Sequence, residues 1–292
     1  MMVGPFKFDS HQNPKAWALL GALACLMAAW QPAVAQLQVL SNQSPQSIFA
    51  GDAREVSVLF RNPDSQSVES EISWRLHQAT SATAMKAGEA RWKKIPVLPG
   101  QTIAESAKVD FPAVKAETRF VIQWIAGTND VLGRTEILAY PTNLLKELKS
   151  LAGDEPLGVF DPQNQLKPLL KNVSVEFSDL EEAGFEQFSG KLAIIGPFAA
   201  KAEMPEGVTK RIEKLAGKGV AVVWIQPPPG PREKLRPSFY AVTNDPGAVV
   251  VVQAELMTRI SERPQAQLNL IHCARLALHP EPMRLPLTSP QP

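Results

Sequence analysis

The spacing of apolar residues changes once along this chain, near residue 140, and that change constrains the fold more than any motif does. Before it, the period is two. Val56, Val58 and Phe60 alternate with Glu55, Ser57 and Leu59. Ile72, Trp74 and Leu76 alternate with Glu71, Ser73, Arg75 and His77, and Phe120, Ile122 and Trp124 with Val121, Gln123 and Ile125. One apolar face per segment is the mark of a half-buried strand. Turn residues separate the segments: Ala50-Gly51-Asp52, Asn62-Pro63-Asp64, Leu98-Pro99-Gly100 and Gly127 to Asp130. No helical stripe interrupts them. The pattern predicts about seven short strands over residues 36–141, a β-sandwich of immunoglobulin-like type. Trp74 and Trp124 fall on its core positions.

From Leu144 onward, strands alternate with helices. Leu157 to Phe160 predicts a strand. Asp161-Pro162 then predicts a helix cap and first turn, with Leu166, Leu169 and Leu170 as its apolar stripe. Val173 to Phe177 and Leu192 to Ile195 predict two more strands. Val208, Ile212 and Leu215 form a helical stripe closed by Gly217 and Gly219. Val220 to Gln226 is apolar throughout, as in a strand covered on both faces. A turn at Asn244 to Gly247 joins Phe239–Val242 to Val249–Val252, and the segment from Leu256 to Leu278 is helical in pattern. Residues 142–280 are thus expected to form a three-layer α/β domain with a mostly parallel sheet. Residues 141–156 are its join to the sandwich, and 281–292 a disordered, proline-rich tail.

The first 35 residues have the plan of a secretory signal peptide. Lys7 and Lys15 precede the apolar run Ala16 to Trp30, Pro32 breaks it, and Ala33-Val34-Ala35 offers a small-x-small cleavage pattern before Gln36. A run of about fifteen residues falls short of the ~20 that span a bilayer, and Cys25 lacks the flanking residues of a lipidation site. The expected chain is exported, periplasmic or extracellular, with no stable membrane insertion once the leader is gone. The formal charge of +1 resides in that leader, through Lys7, Lys15 and Asp9. The remainder is neutral and gives no general electrostatic reason to bind nucleic acid. With Cys25 removed, Cys273 is the one cysteine left, so no internal disulfide forms and stability must come from core burial.

In an open parallel sheet, ligands bind beyond the carboxyl ends of the strands. Three such ends are legible. The first carries Asp161, Gln163 and Asn164, the second Gly196, Pro197 and Phe198, and the third Gln226 with a loop containing Arg232, Lys234 and Arg236. The order of elements over 144–278, with GKLAIIGP as central strand, resembles the class I glutamine amidotransferase-like (flavodoxin-like) fold, in particular a group of secreted bacterial proteins that pair a β-sandwich with such a domain. The resemblance implies a cysteine nucleophile after the central strand and a late His–Glu pair. Here Gly196-Pro197-Phe198 stands at the first position, and proline also lacks an N–H for an oxyanion hole. His272 and His279 sit in or after an apolar helix with no His-x-Glu pattern. The fold carries over and the catalytic residues do not.

Other candidates are weaker. Adjacent residues on a helix diverge by roughly 100°, so His272 and Cys273 cannot pair, and Cys273 reads as a core residue. Glu181, Glu182 and Glu186 read as a solvated helical face, and Arg232 to Arg236, interrupted by Glu233, as a solvated loop. No Cys/His spacing suggests a metal, and Gly217-Lys218-Gly219 precedes a strand, the wrong order for a phosphate cradle; no cofactor is implied. The leading expectation is a non-catalytic envelope protein that binds an unidentified envelope protein or a small ligand, with Asp161, Asn164 and Gln226 as candidate ligand-binding residues. The alternative is a hydrolase or transferase using those same polar groups, which requires them to converge. A polysaccharide-binding sandwich would require an exposed row of aromatics from Trp74, Trp92 and Trp124.

Overall fold

The computed structural model describes residues 37–42, 44–198, 204–227, 239–244 and 246–280. The expected leader, the Arg232 to Arg236 loop and the expected disordered tail lie outside these residues. The first half contains eight strands: β1 (Gln38–Leu40), β2 (Gln46–Phe49), β3 (Ala53–Arg61), β4 (Val68–Ala79), β5 (Ala84–Val97), β6 (Thr102–Asp110), β7 (Thr118–Ala126) and β8 (Asp130–Tyr140). They form two sheets, one in the order β1-β3-β6 and the other β2-β8-β7-β4-β5. All pairings are antiparallel except that of β2 with β8.

The inward residues of both sheets share one core. Val56, Val58 and Phe60 of β3 meet Phe120, Ile122 and Trp124 of β7 there. Phe60 meets Trp124 edge-on with ring centroids 5.8 Å apart, and Trp92 lies 5.5 Å from Trp124. Edge-on and tilted contacts of this kind suit the ring quadrupoles. The indole of Trp124 donates to Thr135 Oγ1 at 2.8 Å, so its buried polar atom is satisfied. Trp92 reaches this cluster through a bulge. Ile72 pairs with Lys93 and Ser73 with Arg91, which leaves Trp92 as an extra residue turned toward the core. Asn62, fully buried, donates to the carbonyls of Gln66 and Val97 and accepts from Asp64 N, so a turn predicted from the sequence is held from inside.

The second half is an α/β arrangement. Its strands are β9 (Leu157–Phe160), β10 (Phe177–Asp179), β11 (Leu192–Ile195), β12 (Ala221–Gln226), β13 (Phe239–Asn244) and β14 (Gly247–Gln253). Its helices are α1 (Glu147–Ala152), α2 (Lys167–Asn172), α3 (Val208–Gly217) and α4 (Pro264–Leu278). The sheet order is β10-β9-β11-β12-β14-β13, parallel except for β13 against β14. Alternation divides the apolar residues between two layers. Val159, Ile194, Val223 and Val250 face α1, α2 and α4. Ala193, Ile195, Val222 and Val251 face α3 and the aromatic residues Phe160, Phe185, Phe188 and Phe198.

Several local expectations are corrected. The segment expected as a join is part of the α/β core, because Leu145, Leu148 and Ala152 are buried in it and Arg275 of α4 pairs with Glu147 of α1. The second strand begins at Phe177 rather than Val173, since Ser174 takes a positive φ of 58° that no strand accommodates. Glu181 and Glu186 lie in a loop, not on a helix, and each is held by a lysine, Lys167 and Lys214 respectively.

Candidate functional site

Counting the parallel strands alone, without antiparallel β13, the order β10-β9-β11-β12-β14 reads 2-1-3-4-5 along the chain, and in such a sheet the ligand crevice opens between strands 1 and 3, where the winding direction reverses. That places it at the carboxyl ends of β9 and β11, at Asp161 and Gly196. Both ends are occupied by the protein itself. Gly196 N donates to Phe160 O at 2.8 Å, which continues the ladder past the last residue of β11. Gly196 has φ +100°, and a Cβ built there would lie 2.5 Å from the carbonyl oxygen of Ile225. No side chain fits at this position, nucleophilic or otherwise. Phe198 is 1% exposed and packs 6.1 Å from Phe160, so the residues after the strand turn back into the core.

Asp161 is buried, and its carboxylate is fully engaged. Oδ1 accepts from Gln165 N, and Oδ2 from Leu166 N at 2.7 Å and Lys167 N at 2.9 Å. The expected cap is therefore real, but it acts across a loop. The helix starts at Lys167, not at Pro162, because the carboxylate gathers the N–H groups at and just before α2. Asn164 is exposed in this loop with φ 50°, and its N–H closes a turn onto Asp161 O. Gln226 is half-buried at the end of β12. β11 lies between β9 and β12, so Asp161 and Gln226 are two strand spacings apart, roughly 10 Å. They also face opposite sides. Asp161 shares the face of Val159, whereas Gln226 shares that of Val222 and Trp224. The sheet does not bring the three candidates together.

A polar cluster that the sequence did not disclose lies beside Asp161. Lys167 Nζ donates to Asp179 Oδ2 at 2.6 Å and to Glu181 Oε1 at 2.7 Å, and that same Glu181 oxygen accepts the Asp161 N–H. Burial opposes charge at both Lys167 and Asp179, but their hydrogen bonds outweigh it. The Asp179 carboxyl is held below its ordinary range and the Lys167 ammonium above its own. The cluster ties β10, the loop after it and the start of α2 into one unit. Only the distant pairing of Lys167 with Asp179 and Glu181 defines it, and no local sequence pattern marks such a pairing.

Elsewhere the titratable groups are dispersed. Cys273 is a free thiol buried in α4, and burial pushes its pKa up to about 11, which makes it a poor nucleophile. Among the described residues no three His, Cys, Asp or Glu side chains lie close enough to hold a metal ion, and no helix is long and apolar enough to cross a membrane. An open groove of about 770 Å³ runs over β4 and β5, lined by Glu71, Arg75, Glu89, Arg91 and Lys94 among others, with Trp74 and Trp92 at its floor. These two rings border the groove but do not stand out from it as an exposed row. Trp74 and Trp124 are buried, and Trp92 is turned onto Phe60 and Trp124.

No protein-family model matches the chain, and no curated protein does. Solved structures overlap it in part. The alkylpurine DNA glycosylase AlkC of Pseudomonas fluorescens, bound to DNA containing an abasic site analog, is 16% identical over 44% of this chain and 39% of its own, with a TM-score of 0.29. A β-glucosidase from Listeria innocua in complex with gluconolactone is 12% identical over 37% of this chain and 16% of its own, with a TM-score of 0.27. Spo0M, the sporulation control protein of Bacillus subtilis, is 12% identical over 40% of this chain and 56% of its own, also at 0.27. Each overlap spans less than two thirds of the matched chain, and at these scores none bears on what this protein does.

Proposed function

We propose that this is a non-catalytic exported protein of the bacterial envelope, an immunoglobulin-like sandwich followed by an amidotransferase-like α/β domain whose role is binding. The observation that carries the reading is the filled strand end. Acyl transfer needs a nucleophile, a base within hydrogen-bond reach and free N–H donors. At the switch point Gly196 has no room for a side chain, its N–H is spent on Phe160 O, and the Asp161 carboxylate is consumed by three backbone donors. The separation of Asp161 from Gln226 counts against a hydrolase built from those groups. The 2-1-3-4-5 strand order supports the flavodoxin-like assignment. Within the first half, the run β8-β7-β4 beside the pair β3-β6 supports the immunoglobulin-like one, as it follows the G-F-C and B-E neighbours of that fold. The Phe60–Trp124 contact joins the two strands that the disulfide of antibody domains would join. The leader pattern in residues 1–35 supports export.

The test is turnover. The full chain, given glutamine or simple esters, is expected to release ammonia or alcohol at the uncatalysed rate. Turnover above background that Asn164→Ala or Gln226→Ala abolishes would sink the proposal.

A further inference from the structure

We infer that the free edge of β5 between Gly88 and Arg91 docks an extended segment of a partner protein as an added strand, one that sets a carboxylate opposite Arg91 and an apolar side chain opposite Ala90. The inference rests on the binding role proposed above and gives it a surface and a partner class. β5 is the last strand of its sheet and pairs only with β4 among the described residues, so its other edge presents main-chain N–H and C=O groups to an incoming strand. Two bulges, at Ala87 and Trp92, interrupt β5, and Gly88 to Arg91 is the regular window between them, in register with Leu76 to Ser73. Of these four residues only Gly88 is even half-buried.

The side chains of this window define the complementary segment. Alternation puts Glu89 and Arg91 on one face with Arg75 and Ser73, at the groove over β4 and β5. Lys86 and Arg75 both reach Glu89, Lys93 is matched by Glu105, and Lys94 by Glu69. Arg91 is left as the cation of this edge with no carboxylate among the described residues, and its planar fork suits a carboxylate brought from outside. Glu71, the unmatched carboxylate of the groove, stands one strand further in on β4, in register with Lys94. On the other face Gly88 and Ala90 are small, and the Trp74 ring lies 3.7 Å from where a Cβ on Gly88 would stand. An apolar side chain of the added strand reaches over them toward that ring. A second copy of β5 fits less well, because the strand carries four cations, Lys86, Arg91, Lys93 and Lys94, against Glu89 alone.

The full chain labelled with 15N tests this, with the peptide acetyl-Thr-Val-Thr-Val-Glu-Val-Thr-Val-Thr-amide as probe, which reads alike in either strand direction. One control peptide carries lysine in place of the glutamate. The other is N-methylated throughout, which keeps the charge and blocks strand pairing. A saturable shift of the Gly88 to Arg91 amide resonances is expected with the probe, at a roughly millimolar Kd for so short a segment, and with neither control. Arg91→Glu should weaken the probe by roughly tenfold or more and admit the lysine peptide in its place. No saturable shift, an equal response to the N-methylated peptide, or an unchanged affinity in Arg91→Glu would overturn the inference. So would a free chain that sediments as a dimer with these amides already protected from exchange, which would assign the edge to a second copy. Catalytic turnover with the peptide shift intact would instead remove the non-catalytic reading and keep the docking edge.

Discussion

Placing a methyl group at Gly196 asks directly whether the strand end is closed. Gly196→Ala has two costs. The first is conformational: φ of +100° is unfavourable for a residue with a Cβ by about 1–2 kcal/mol. The second is steric, because the new Cβ would meet the Ile225 carbonyl oxygen at 2.5 Å and Ile225 Cβ at 3.2 Å. Forcing central-strand backbone apart costs about 1–3 kcal/mol more. Gly184 supplies the control. It has φ +76° and nothing within 4 Å of its built Cβ, so Gly184→Ala carries the conformational cost alone. Urea titration followed at the helical circular-dichroism band reports this half, since the α-helices of the described residues all lie between 147 and 278. With an m-value of roughly 2 kcal/mol/M, the Gly196→Ala midpoint should fall about 0.5–1.5 M below that of Gly184→Ala. If the two variants lose the same stability, a side chain is tolerated at the strand end and the steric argument fails.

Three further outcomes follow from the core and the polar cluster. Lys167→Met should cost about 2 kcal/mol at neutral pH, less than a fully buried pair because Asp179 and Glu181 stay partly exposed. Asp179 is depressed from 3.8, so its contribution is complete above pH ~4 and is lost as pH falls through the folded value. Lys167 is raised from 10.5, so its contribution is complete below that pH and is lost as pH rises beyond it; the variant's stability profile should be flatter at both ends. Cys273 should resist thiol reagents at neutral pH in the folded chain and react fully in denaturant; rapid native labelling would contradict its burial. Leu148→Ala should destabilise the α/β half by about 2–5 kcal/mol, and limited proteolysis should spare residues 144–152, which lie within the 141–156 segment that the sequence marks as a join.

The sequence discloses the elements whose pattern is local. The alternation in β3, β4 and β7 and the continuous apolar run of β12 emerge as strands because burial on one face or on both writes itself into residue order. β5 does not. Between Ala84 and Lys94 only Gly88 and Trp92 are even half-buried, so no alternating apolar face shows, and two register shifts against β4 break the period. Among the site residues, the identity of Gly196, Pro197 and Phe198 already excludes a nucleophile, but their packing against Ile225 and Phe160 needs the fold. Asp161 is legible as a cap, yet the loop it spans is not, because a side chain can gather N–H groups several residues away. The disposition of Asp161 and Gln226 on opposite faces follows from the register of β9, β11 and β12, which long-range pairing decides.

Amide hydrogen exchange at Gly196, Leu166 and Lys167 tests most directly whether the switch point is a closed structural element. These N–H groups are bonded to Phe160 O and to the Asp161 carboxylate. A closed strand end opens only with the surrounding core, so the three amides should exchange at rates close to that of Ile194 in the middle of β11. Exchange that approaches the unprotected rate at Gly196 and at Leu166, while Ile194 stays protected, would show a strand end that opens on its own, as a substrate site must, and would contradict the account.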